Sequence, residues 1–112
     1  MIASANASMS FAVRKLKPAE RDALVAARWY DEQRLGLGDD FLDEVAAVTD
    51  ALARHALLHA IRFADVRRAP LKRFRQYGVF YFLDGDAVIV FSVFHGARHP
   101  RWLRERRRTL AP

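Results

Sequence analysis

Apolar and polar residues alternate through Phe11-Ala12-Val13-Arg14-Lys15-Leu16, a period of two that predicts a short first strand. The period then lengthens. Ala19, Ala23, Ala27 and Tyr30 recur at helical spacing, and Pro18 stands where a helix accepts proline. Glu20 and Asp22 fall in the first turn, near the positive end of the dipole, so a helix is expected from about Pro18 to Gln33. Leu35-Gly36-Leu37-Gly38 ends it, with one glycine able to turn left-handed and the leucines placed to close the apolar seam. Asp39 or Asp40 is expected to cap a second helix, whose stripe of Phe41, Val45, Val48 and Leu52 runs to about His55. So short a loop makes the pair an antiparallel hairpin.

After a connection over Leu57 to Phe63, the period returns to two. Val66 to Ala69 begins a strand that Pro70 interrupts, which predicts an edge position. Tyr77 to Leu83 and Ala87 to Phe94 read as two strong strands joined by the turn residues Asp84-Gly85-Asp86. Both are apolar on each face: Val79, Tyr81 and Leu83 against Phe80 and Phe82, then Val88 and Val90 against Ile89, Phe91 and Val93. One face must cover the helical hairpin; the other is a second small core or an aromatic binding surface. Pro100 opens a last helix reaching about Arg107. The fold class is therefore α+β: an N-terminal strand, a helical hairpin on a small antiparallel sheet, and a short C-terminal helix.

Composition narrows the chemistry. With 112 residues, 52% of them hydrophobic, the chain holds one domain, expected over residues 10–112. Residues 1–9 read as a disordered or non-native extension, with Met9 as an alternative start, and they lack the basic and apolar regions of a signal peptide. The absence of cysteine excludes disulfides, thiolate catalysis and cysteine-based metal sites, and a cytoplasmic setting is expected. No apolar run has the length of a membrane helix, so no membrane association is expected.

Charge is divided unevenly. Residues 1–64 carry a net charge of −1, and residues 65–112 carry +7. The later cations are Arg67, Arg68, Lys72, Arg73, Arg75, Arg98, Arg101, Arg104, Arg106, Arg107 and Arg108, nearly all arginine, whose planar fork pairs phosphate oxygens two at a time where lysine offers a point charge. If they gather on one side, they form a patch for a polyanion, either nucleic acid or an acidic protein segment. Tyr77, Tyr81 and Trp102 lie among them as candidates for stacking on bases. His95 and His99 flank Gly96-Ala97-Arg98; as a base and acid beside cations they are the groups that RNA cleavage through the 2′-hydroxyl needs, or else structural residues at a strand end. His55 and His59 read as packing rather than metal-binding residues, and Asp39, Asp40, Asp43 and Glu44 as a helix N-terminus complementing its dipole. No metal or cofactor is called for.

The ordered series Trp29-Tyr30-x-x-Gln33-x-x-Gly36-Leu37-Gly38-x-x-Phe41, Val66-Arg67-Arg68, Leu71-x-x-Phe74, Tyr77-x-x-x-Tyr81 and Val93-x-His95-x-x-Arg98-x-Pro100-x-Trp102 resembles the RelE/ParE superfamily of type II toxins. The resemblance runs from Phe11 to about Arg106. It implies a helical hairpin on a small antiparallel sheet and a cognate acidic antitoxin, encoded alongside, that wraps the basic sheet face. Operator DNA would be bound only through the toxin–antitoxin complex. RelE-like members cleave mRNA in the ribosomal A site; ParE-like members inhibit DNA gyrase. Carried onto this chain, Arg73 and Arg98 match positions that stabilise the scissile phosphate, and Arg68 and Tyr81 match positions common across the superfamily. The chain differs in having Lys72 alone among arginines, and His99 and Trp102 where a tyrosine would follow Arg98.

These residues give a first expectation of a ribosome-dependent mRNA endonuclease. Arg73, Arg98, His95 and His99 would be catalytic, and Arg68, Lys72, Arg75, Tyr81, Arg101, Trp102 and Arg104 would bind the nucleic acid. The alternatives are a non-catalytic gyrase inhibitor and a degenerate toxin that only binds its antitoxin.

Overall fold

The structure is a computed structural model that describes residues 10–96 and 99–110; the extension expected over residues 1–9 lies outside them. In chain order the elements are β1 (Ala12–Lys15), α1 (Lys17–Gln33), α2 (Leu37–His55), β2 (Ile61–Phe63), β3 (Val66–Pro70), β4 (Tyr77–Asp84), β5 (Ala87–His95) and α3 (Arg101–Thr109). The strands form one five-stranded sheet in the order β1-β5-β4-β3-β2. The fold class is the expected one, with a mixed sheet in place of a purely antiparallel one. β1 runs parallel to β5, which it joins at one edge of the sheet, while the α1–α2 hairpin carries the chain across to β2 at the other.

The α1–α2 joint differs from expectation in a way that chain geometry explains. Gly36 takes the left-handed conformation, at φ 92°. The cap of α2 comes from the preceding helix: the Asp31 carboxylate accepts the N–H groups of Gly38 at 2.7 Å and Gly36 at 3.2 Å. Asp39 and Asp40 lie in the first turn instead. At Gly38 the helices touch so closely that a Cβ would stand 2.4 Å from the Ala27 carbonyl oxygen. Leu37 packs on the core, whereas Leu35 is exposed and closes nothing.

Two further expectations change. β3 is not an edge strand, since β2, within the stretch read as connection, pairs with its first residues. Pro70 is tolerated because it lies past the end of β2, opposite Gly78 of β4. In β5 the register shifts between Phe80↔Ser92 and Tyr81↔Val90, leaving Phe91 as an extra residue. The bulge turns Val93 toward the helical hairpin, away from Ile89 and Phe91.

The core is therefore double. On one face of the sheet Val79, Tyr81, Val88, Val90 and Val93 meet the alanine stripe of α1 and Phe41, Val45 and Leu52 of α2. On the other, Val66, Phe80, Phe82, Ile89 and Phe91 enclose Leu103 of α3, which is 0% exposed. Of the two alternatives for that second face, a core is what forms.

Two ion pairs hold α3 over this second core. Arg106 donates to Asp22 of α1 at 2.7 Å and to the Phe91 carbonyl at 3.2 Å. Arg107 grips Asp65 with Nε and Nη2 at 2.9 and 2.8 Å and lies 3.6 Å over the Phe82 ring. Asp22 thus works as a clamp between α1, β5 and α3 rather than as a dipole residue.

Candidate functional site

The loop between β3 and β4 is shaped by a side chain from α2. The Glu44 carboxylate accepts the backbone N–H groups of Lys72, Arg73 and Phe74, and Leu71 and Phe74 anchor the loop in the core. This concentration of N–H donors on one carboxylate is a role that a residue read only as a dipole partner did not announce. Arg73 donates to Asp40 at 3.0 Å across the same gap. Lys72 and Arg75 are exposed and make no ion pair among the described residues.

Beside this loop lies an aromatic cluster. Tyr30 packs on Phe41, Phe74 and Tyr77, and the Tyr77 ring meets His95 edge-on at 5.2 Å. Trp29 stands edge-on to Tyr30 and is 53% exposed. Between them a recess of ≈ 240 Å³ is lined by Trp29, Tyr30, Gln76, Tyr77 and His95. Sharing Trp29, Tyr77 and His95, a second recess of ≈ 390 Å³ extends between α1 and α3 past Val25 and Phe94 to Trp102. Trp102 packs edge-on against Phe94, and the Arg106 guanidinium lies 5.1 Å from the centre of its ring. At the opposite end a recess of ≈ 560 Å³ opens onto Arg73 and Arg75. The surface is a groove with indole and phenol walls and cations at its ends. Trp29 was quoted only as a motif residue; its place one turn after Val25, both exposed and off the buried alanine stripe, is the signal that marks it as part of this wall.

Burial pushes the phenols of Tyr30 and Tyr77 up; for Tyr77 the neighbouring Tyr30 adds to the rise. Both therefore stay protonated at neutral pH and serve as donors or stacking faces, not as bases.

The other expected residues are dispersed. Tyr81 is fully buried, with its hydroxyl donating to the Ala56 carbonyl at 2.6 Å and its phenol pushed up to about 12 by burial. No ring face is left for a base, so the stacking role expected of it gives way to a structural one. Arg68 is 8% exposed and lies inside the sheet face rather than on a surface. His99 stacks on Phe63 of β2 at 5.1 Å, while His95 meets Tyr77, so the two histidines have different neighbours on different strands. Arg101, Trp102 and Arg104 are exposed on α3. Arg98 lies outside the described residues.

Nor do the cations form one continuous unpaired patch. Arg73, Arg106, Arg107 and Arg108 are each paired with a carboxylate: Asp40, Asp22, Asp65 and Glu105. Arg67 donates to the His59 carbonyl at 2.7 Å. Lys72 and Arg75 on the loop, and Arg101 and Arg104 on α3, remain exposed without an ion pair among the described residues.

Comparisons with known proteins agree with this architecture. Residues 13–100 match a family model described as ParE toxin of type II toxin-antitoxin system, parDE. A solved chain of the chromosomal ParDE TA system from P. aeruginosa superposes with a TM-score of 0.69 at 13% identity, covering 80% of this chain and 99% of that one. At that identity the likeness concerns the fold. No curated protein matches the sequence. No helix among the described residues is long and apolar enough to cross a membrane. With the family match spanning most of the domain, the chain belongs to the ParE toxin family of type II toxin–antitoxin systems.

Proposed function

We propose that this ParE-family toxin arrests growth by binding its target rather than by cutting RNA, that the target is DNA gyrase, and that an acidic antitoxin silences it in the cytoplasm. The observation that carries the reading is the dispersal of the groups cleavage needs. Removing the 2′-proton, protonating the leaving oxygen and holding the phosphate require a base, an acid and a cation converging on one phosphodiester. Here Arg73 is paired with Asp40, Tyr81 is in the core, and His95 and His99 pack on separate aromatic partners.

The groove suits protein recognition. Trp29, Tyr77 and Trp102 are the rigid aromatic anchors that dominate protein interfaces, and Arg75, Arg101 and Arg104 supply exposed cations in the same half of the chain. An amphipathic acidic segment of the antitoxin matches that surface, its charge contributing specificity and association rate more than net affinity. In this reading operator DNA is contacted through the antitoxin complex.

The test is pulsed expression without an antitoxin, followed by RNA-end mapping and plasmid-topology gels. Relaxed or broken plasmid with intact mRNA is the expected outcome, and Trp29→Ala with Trp102→Ala should abolish arrest while the protein stays folded. Codon-phased mRNA cuts would instead establish the ribosome-dependent endonuclease, and the absence of any arrest would leave a degenerate toxin.

A further inference from the structure

Arg68 of β3 sits opposite Phe80 and lays its side chain across β4 at Gly78. A Cβ at Gly78 would fall 2.5 Å from Arg68 Nε and 2.7 Å from Cζ, so the missing side chain is the space the guanidinium occupies. Only 8% of the residue is exposed. A guanidinium carries five N–H donors, yet among the described residues this one makes a single hydrogen bond, Nη2 to the Gln76 carbonyl at 3.3 Å. That oxygen is shared, since it also accepts the Gly96 N–H at 2.5 Å. Nε is buried with no partner, and no carboxylate pairs with Arg68 among the described residues. Burial and the nearby Arg62 both disfavour its charge.

A buried cation without a counterion destabilises the fold, and an apolar side chain of similar volume would be as stable or more so. The cost is understandable if the counterion arrives from outside. We infer that Arg68 is a receptor for one carboxylate of an acidic partner segment, which enters over the Gln76–Gly96 edge and takes the outer Nη1/Nη2 end of the guanidinium. This rests on the acidic-antitoxin reading above and names the residue that would anchor it. The close surroundings of Arg68 favour a side-chain carboxylate over a nucleic-acid phosphate. The Phe80 ring, 5.9 Å from Cζ, and the Gln76 and Gly96 backbones border the head. A planar carboxylate on a slender side chain matches two parallel N–H groups there, whereas a phosphodiester brings a ribose on either side.

The experiment measures binding of a fluorescent hexaglutamate peptide to the full chain, alongside thermal unfolding, for the wild type, Arg68→Met and Arg73→Met. The expected result is a peptide affinity about tenfold or more lower in Arg68→Met, with a Tm no lower than wild type, and a smaller loss in Arg73→Met. Unchanged peptide affinity in folded Arg68→Met would overturn the inference alone, while no peptide binding by the wild type would overturn it together with the acidic-antitoxin reading. Loss of hexauridylate binding with peptide binding intact would also overturn it, in favour of a phosphate. Should Arg68→Met not fold, titrating the wild type with propionate while following the Arg68 guanidinium ¹⁵N–¹H signals decides: a saturable shift supports the receptor, and no shift overturns it.

Discussion

Replacing Asp22 with alanine should loosen α3 and cost much of the domain's stability. Asp22 Oδ2 accepts from the Ser92 hydroxyl at 3.1 Å, the Val93 N–H at 3.1 Å and Arg106 Nη1 at 2.7 Å. Ser92 is fully buried and Val93 nearly so, so removing the carboxylate strands one amide donor in the interior, at about 1–2 kcal/mol, while the hydroxyl can rotate and loses less. The ion pair is partly exposed, with side chains 27% and 20% accessible, which discounts its share to about 1 kcal/mol. The sum, about 2–4 kcal/mol, lowers the Tm of a domain this size by roughly 10–25 °C. Thermal and urea unfolding followed by circular dichroism measure the loss, and in a Trp29→Phe background Trp102 fluorescence reports α3, because its ring packs on Phe94 and Arg106. Asp22→Asn keeps an acceptor for Val93 and should cost about half as much. A double-mutant cycle with Arg106→Met isolates the ion pair. If Asp22→Ala stays within about 0.5 kcal/mol of wild type, Asp22 is no clamp and does not hold α3.

Other outcomes follow from the same geometry. Tyr81→Phe should cost about 1–2 kcal/mol by leaving the Ala56 carbonyl without its donor. It should also remove a stability term present below pH 10.0 and lost as pH rises toward about 12, seen as a missing late phase in the 295 nm alkaline titration. Gly38→Ala forces apart α1 and α2 at the Ala27 carbonyl and should lower Tm more than Gly85→Ala, where a Cβ meets nothing and only the positive φ is strained. Asp65 is held below the usual carboxylate value of 3.8, first by its hydrogen bond to Arg107. Its contribution is therefore full above pH 3.8 and lost as pH falls through the lower folded value, and Asp65→Asn should flatten the acid-unfolding curve there. His59 is lowered from 6.5, first by burial and then by His55 and Arg67, so stability should also decline as pH drops below 6.5, and less so in His59→Gln.

What the sequence made legible is what periodicity encodes. The alanine stripe of α1, the Phe41–Leu52 stripe of α2 and the two-sided apolar pattern of β4 and β5 each state their own burial. Strand direction is not encoded that way, because alternation in Phe11–Leu16 reads the same for parallel and antiparallel pairing. Three residues are too few for a period, so β2 looked like loop, and the bulge at Phe91 moved Val93 to the other core without altering any residue type. Polar residues hid their partners best. Asp22 meets Val93 across 71 positions and Glu44 meets the loop across about 30, distances over which local pattern carries no information. Arg68 and Tyr81 read as surface chemistry because charge and hydroxyl usually are; their burial depends on Gly78 leaving space and on Ala56 offering an oxygen.

The proposed arrest through binding to gyrase, rather than through RNA cleavage, is put to the test by titrating the purified chain into a reconstituted gyrase supercoiling reaction on relaxed plasmid. Loss of supercoiling as the chain approaches the enzyme's own concentration, reversed by Trp29→Ala with Trp102→Ala, is the predicted result. Gyrase working at full rate in a large excess of folded, growth-arresting toxin would rule gyrase out as the target.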